Sequence, residues 1–128
     1  VIVLDTSAVL AIIWDEPEAE DFMRAVATAN GVLISASTRL ELHAVCLHRK
    51  GRIDVEAAER FMSELEVITE PFDEGQLLVA KTAYETYRHG RKGLNMGDCF
   101  SYALAKSRDL PLLFKGEDFA ATDVKRAV

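Results

Sequence analysis

The chain opens on an unbroken aliphatic run, Val1-Ile2-Val3-Leu4, and then turns polar at Asp5-Thr6-Ser7. Four apolar residues in a row, three of them β-branched, predict a strand buried on both faces. Residues 7–14 remain almost wholly apolar, which predicts a short buried helix, with Trp14 as an apolar anchor at its end. Asp15-Glu16-Pro17 break the segment, and Pro17 suits the first turn of a following helix. Apolar residues then recur at helical spacing at Ala19, Phe22, Val26 and Ala29, until Asn30-Gly31 supplies a stop signal.

The same alternation continues to the end of the chain. Val32-Leu33-Ile34-Ser35 is the second strand, and residues 37–50 form a helix with Leu40, Ala44 and Leu47 on one face. Residues 54–65 form another, with Ala57, Ala58, Phe61 and Leu65 turned inward, before a short third strand at Val67-Ile68-Thr69. Residues 74–88 are a long helix presenting Leu77, Leu78, Ala80, Lys81 and Tyr84. Asp98 opens a helix running through Ser107, with Phe100, Ala103 and Leu104 apolar. Leu110 to Phe114 is the fourth strand, with Pro111 near its start. Lys115 to Phe119 turn into a short helical piece, and Val124 to Val128 are expected to add an edge strand. Strands alternating with helices predict an α/β sandwich around a parallel sheet.

Composition narrows the class. A chain of 128 residues suits one domain, spanning 1–128, with enough length to bury a core. No apolar stretch approaches the roughly eighteen residues of a membrane span. The first residues read as core strand and not as a signal peptide, so a cytoplasmic protein without membrane association is expected. Cys46 and Cys99 lie far apart in apolar surroundings, which predicts buried free thiols and argues against zinc. The net charge of −6 argues against broad, nonspecific nucleic-acid binding. It leaves room for a nucleic-acid enzyme whose clustered carboxylates are offset by divalent cations.

Four acids point that way. In open parallel sheets, ligands gather beyond the carboxyl ends of the strands. Asp5 ends the first strand, Glu41 lies about a turn into the helix after the second, Asp98 begins the helix leading to the fourth, and Asp118 follows the fourth. Each has a plainer reading. Asp98 and Asp118 can cap helical turns, Glu41 completes a capping box with Thr38, and Asp5 can accept hydrogen bonds from its own loop. Jointly, four acids at one rim repel one another unless a cation is present. Oxygen-only ligands favour Mg²⁺ or Mn²⁺, and the matching chemistry is metal-assisted phosphodiester hydrolysis. Asp5 and Asp98 are the candidate direct metal ligands. Thr6 and Ser7 are supporting hydroxyls, with Ser7 also a candidate helix cap, and Lys115 is a candidate phosphate contact. The densest basic stretches, Arg49-Lys50-Gly51-Arg52 and Arg88-His89-Gly90-Arg91-Lys92, are read equally as solvated surface or as phosphate contacts.

The ordered set of motifs resembles the PIN-domain ribonucleases, in particular the VapC-type toxins of toxin–antitoxin modules. The resemblance rests on Val1 through Ala8, on Arg39-Leu40-Glu41, on Leu94 through Ala105 around Gly97-Asp98-Cys99, and on Leu112 through Phe119 followed by Thr122-Asp123. It implies a PIN-like α/β/α sandwich with a central, mainly parallel sheet of four to five strands. It also implies a Mg²⁺-dependent endoribonuclease that cleaves RNA, forms a homodimer and is neutralised by a cognate VapB-type antitoxin. Carried over by position, Asp5, Glu41 and Asp98 match the family's three main acids and Asp118 the fourth, with Glu117 and Asp123 as neighbouring alternatives for that last place.

Two other classes compete. An Asp-based phosphotransfer domain would want a second Asp two residues after Asp5, where Ser7 stands. A PIN-like binding module without catalysis would use the same acids only to receive an antitoxin's basic tail.

Overall fold

The computed structural model describes residues 1–128. Four strands form the sheet: β1 (Ile2–Leu4), β2 (Val32–Ser35), β3 (Ile68–Glu70) and β4 (Leu112–Leu113). Six helices connect them: α1 (Thr6–Ile13), α2 (Ala19–Thr28), α3 (Ala36–Arg49), α4 (Arg52–Glu64), α5 (Glu74–Tyr87) and α6 (Met96–Arg108). The strand order is β3-β2-β1-β4 and every pairing is parallel. Register is set by Ile2 against Val32, Val3 against Leu112, and Leu33 against Ile68. No helix is long and apolar enough to cross a membrane.

The period-2 geometry of a strand divides the aliphatic runs between two cores. Ile2, Leu4, Val32 and Ile34 face one side, where Val9, Phe22, Cys46, Val55, Phe61 and Met62 from α1 to α4 cover them. Val3, Leu33 and Leu112 face the other, under Ala80 and Ala83 of α5 and Cys99, Tyr102 and Leu104 of α6. The architecture is thus the α/β/α sandwich expected. The chain winds outward from β1 to β3, then crosses to the far side of β1 to make β4. That reversal of strand order is a topological switch point, and the crevice beyond the strand ends there is where α/β sheets take ligands.

Several expected faces are turned around. On α3 the predicted stripe of Leu40, Ala44 and Leu47 is the solvent face, with Leu40 70% exposed, while Thr38, Leu42 and Cys46 are buried. On α5, Gln76, Ala80 and Ala83 face inward, and Leu77, Leu78 and Tyr84 are exposed. On α5 the small Ala80 and Ala83 let the helix lie close to its neighbours, and the larger Leu77 and Leu78 are left outside. Trp14 is more than an apolar anchor: its indole N–H donates to the buried Asp54 carboxylate at 3.0 Å, and Arg49 stacks over its ring. Residues 118–121 form turns and no helix. The expected C-terminal edge strand is reduced to one parallel bridge, Leu112 with Arg126. Because β4 is only two residues long, it offers the tail little edge to pair with.

Candidate active site

Asp5 leaves β1 and becomes the N-cap of α1, accepting from the Ser7 backbone N–H. This corrects the reading of Ser7 as the cap. The Ser7 hydroxyl instead donates to Asp5 Oδ2 at 2.6 Å and accepts from the Lys115 backbone N–H at 3.0 Å. One side chain thereby ties the end of β1 to the loop after β4. The other Asp5 oxygen, Oδ1, accepts from the Ser101 hydroxyl at 2.6 Å. Asp5 is only 4% exposed, so these donors replace the water it has lost.

Glu41 projects from the second turn of α3, the helix that follows β2. The helix is capped by Ser35, and the Thr38 hydroxyl is buried without a partner, so Thr38 and Glu41 form no capping box. Glu41 Oε1 accepts from the Thr6 hydroxyl at 2.5 Å. Its carboxylate lies against Gly97, where any Cβ would fall on it. Asp98 stands one residue further along α6. It does not itself open the helix: Asn95 is the N-cap, and Asn95 and Asp98 form a reciprocal capping box with N–H to carboxylate and N–H to amide contacts of 3.0 and 2.8 Å. Capping and proximity to the other acids are therefore both true of Asp98.

These side chains meet at the switch point. Asp5, Glu41, Asp98 and Asp118 line one cavity of about 180 Å³, together with Thr6, Ser7 and Lys115. Glu117 instead pairs with Lys92, and Asp123 accepts from Tyr102 and pairs with Lys106. Of the three candidates for the fourth position, Asp118 alone faces the cavity. Lys115 lines it too, but its ammonium is held 3.1 Å from both Glu16 and Glu18. Its charge is balanced within the protein and not offered freely to a phosphate. Ser101 and Gly97 both fall in the stretch Leu94 through Ala105, but the sequence assigns neither a role. The spacing of Ser101, three residues after Asp98 and hence on the same helical face, is the signal that marks it.

The electrostatics reflect crowded, poorly hydrated carboxylates. Burial holds Asp5 above its ordinary range despite the hydrogen bonds from Ser101 and Ser7. Burial likewise raises Glu41, opposed by Thr6 and reinforced by the charge of Asp5. Asp98 is pushed up to about 7, first by burial and then by the charges of Asp5, Asp118 and Glu41. The cluster thus resists carrying its full negative charge alone. No three Asp, Glu, His or Cys side chains converge closely enough to make a ready cage. The donor set is all oxygen, strongly anionic and open at the mouth. It fits a hard cation that takes one or two carboxylates and completes its shell with water.

Residues 2–125 match the family model for the PIN domain. The chain is 40% identical to Ribonuclease VapC28 of Mycobacterium tuberculosis over 129 residues, which covers 98% of this chain and 97% of that protein. It is 44% identical to Ribonuclease VapC of Mycolicibacterium smegmatis over 124 residues, covering 95% and 96%. Among solved structures, the crystal structure of Mycobacterium tuberculosis VapC20, a sarcin-ricin loop cleaving toxin, superposes with a TM-score of 0.75 at 20% identity, covering 97% of this chain and 96% of that one. VapBC2 from Rickettsia felis, bound to a DNA fragment from its promoter, superposes at 0.73 with 14% identity, covering 98% and 95%. These matches set aside the phosphotransfer reading. With the family model covering nearly the whole chain and relatives at 40–44% identity over 95–98% of it, the chain belongs to the PIN-domain family, among the VapC ribonucleases.

Proposed function

We propose that this protein is a Mg²⁺-dependent endoribonuclease, the toxin of a type II toxin–antitoxin module. The observation that carries the reading is the gathering of Asp5, Glu41, Asp98 and Asp118 around one cavity at the switch point. The ribonuclease names of relatives at 40–44% identity support RNA as the substrate.

Asp5 and Asp98 are the side chains that would hold the ion, Mg²⁺ or Mn²⁺. Such an ion acidifies a water and offsets charge on the scissile phosphate. Glu41, held at one oxygen by Thr6, and Asp118, at the exposed rim, would accept hydrogen bonds from water entering the cavity. Ser7 keeps the loop of Lys115 and Asp118 in register with Asp5. Hydrolysis forms a bond from the water oxygen to phosphorus, breaks the bond to the leaving sugar oxygen and delivers a proton to that oxygen. Lys115 would reach a phosphate only by leaving Glu16 and Glu18.

The proposed partner is a VapB-type antitoxin whose tail closes the acidic cavity, a pairing supported by the Rickettsia felis neighbour. A homodimer is the proposed assembly. The exposed Leu77, Tyr84 and Met96, which line an apolar groove between α5 and α6, give it surface to bury.

The test is incubation of purified protein with structured RNAs, with and without EDTA. Metal-dependent cuts that vanish in folded Asp5→Asn and Asp98→Asn variants are expected. Equal cleavage by the variants would place the activity elsewhere, and no cleavage by any form would favour the silent binding module.

A further inference from the structure

Ser101 sits one helical turn beyond Asp98 on α6 and is wholly buried. A buried serine inside a helix commonly returns its hydroxyl to a carbonyl one turn back. Here the Asp98 carbonyl is 3.3 Å away, but Asp5 Oδ1 is much closer, at 2.6 Å. The single hydroxyl proton therefore goes to Asp5.

An ionised carboxylate has about four lone-pair positions, two on each oxygen. The Ser7 N–H and hydroxyl, at 3.1 and 2.6 Å, take both on Oδ2. Ser101 takes one on Oδ1. The Thr6 backbone N–H also acts on the carboxylate, so at most one position is left, on Oδ1, and its direction is set beside the Ser101 side chain, which the core encloses.

We propose that Ser101 is a positioning residue for the divalent cation: together with Ser7 it limits Asp5 to one coordinating oxygen in a fixed direction, and so favours Mg²⁺ over Ca²⁺. This rests on the reading that the acidic cavity holds Mg²⁺. Mg²⁺ demands near-ideal octahedral geometry at short range and takes carboxylates one oxygen at a time. Ca²⁺ accepts more ligands, longer and more variable distances, and two oxygens from one carboxylate. A locked, one-oxygen Asp5 suits the first ion and does little for the second.

The experiment is calorimetric titration of the full chain with magnesium chloride and with calcium chloride, without RNA, for wild type, Ser101→Ala and Ser101→Cys. Thermal unfolding checks each fold, and the Cys variant keeps the core filled while removing the strong donor. We expect Ser101→Ala to weaken Mg²⁺ binding by about tenfold and Ca²⁺ binding by less than about threefold, so that the preference for Mg²⁺ falls several-fold. The Cys variant should follow the Ala variant. An unchanged preference, whether neither affinity moves or both fall together, would overturn the role of Ser101 while leaving the Mg²⁺ site standing. Wild-type protein that binds neither ion would overturn both.

Discussion

Replacing Gly97 by Ala puts a methyl group where the Glu41 carboxylate now lies. The atom in the way is the far end of a flexible side chain, so the carboxylate should yield and the backbone should not. To regain ordinary contact distance it must move by about 1.5 Å or more, which ends its hydrogen bond with Thr6. A hydrogen bond to a charged group contributes about 1.5–3 kcal/mol. Against this, Ala in place of Gly in α6 stabilises by about 1 kcal/mol. Withdrawal of Glu41 also relieves its repulsion of Asp98. The net loss of stability should stay below about 2 kcal/mol, while a misplaced catalytic-site acid should slow RNA cleavage by about 10²-fold. Urea unfolding and a gel-based cleavage assay read the two effects separately. A double-mutant cycle sharpens the test: in a Glu41→Ala background, Gly97→Ala should stabilise by about 1 kcal/mol. Wild-type cleavage by folded Gly97→Ala would refute the reasoning. So would a loss above about 3 kcal/mol, since the backbone would then be carrying the strain.

Asp98 should make the metal-free protein less stable as pH rises. Its folded pKa is raised from 3.8 to about 7, so its contribution is intact below pH 3.8 and is lost progressively towards pH 7. Denaturant unfolding should therefore find Asp98→Asn more stable than wild type at pH 8 and little different at pH 4; the reverse order would contradict the assigned electrostatics. Magnesium at about a hundred times its dissociation constant should raise the unfolding free energy of wild type by about 2.7 kcal/mol, with no such gain in Asp5→Asn. Trp14→Phe should destabilise by about 1–3 kcal/mol, because it strands the buried Asp54 carboxylate without its indole donor. Unchanged chemical stability would show that Asp54 finds another partner.

The layered fold was legible because aliphatic runs such as Val1 to Leu4 and Val32 to Ile34 are too apolar for any place but a central parallel sheet. The four acids were legible because each follows or precedes such a run at the rim the topology creates. Helix faces were harder. Leu40 and Leu77 are more apolar than Thr38 and Gln76, yet the latter are buried, because close packing and loop contacts outweigh side-chain polarity there. Gln76, for instance, donates to the Pro71 carbonyl from inside. The support of the acids was harder still. Ser101 meets Asp5 across 96 positions of chain, and Gly97 matters only for what Glu41 needs beside it. Pairwise contacts of that separation leave no local pattern. Lys115 shows the opposite error: its place at the cavity was readable, but its partners Glu16 and Glu18 come from the turn after α1.

In the proposed reaction, RNA hydrolysis depends on a divalent cation held among the four carboxylates. Crystals of the protein soaked in manganese chloride test it most directly. An anomalous-scattering peak is expected in the cavity about 2.1 Å from Asp5 Oδ1, with Asp98 as the second direct carboxylate and water completing the shell. A cavity without a peak at saturating Mn²⁺, or a peak that Asp5 does not touch, would contradict it.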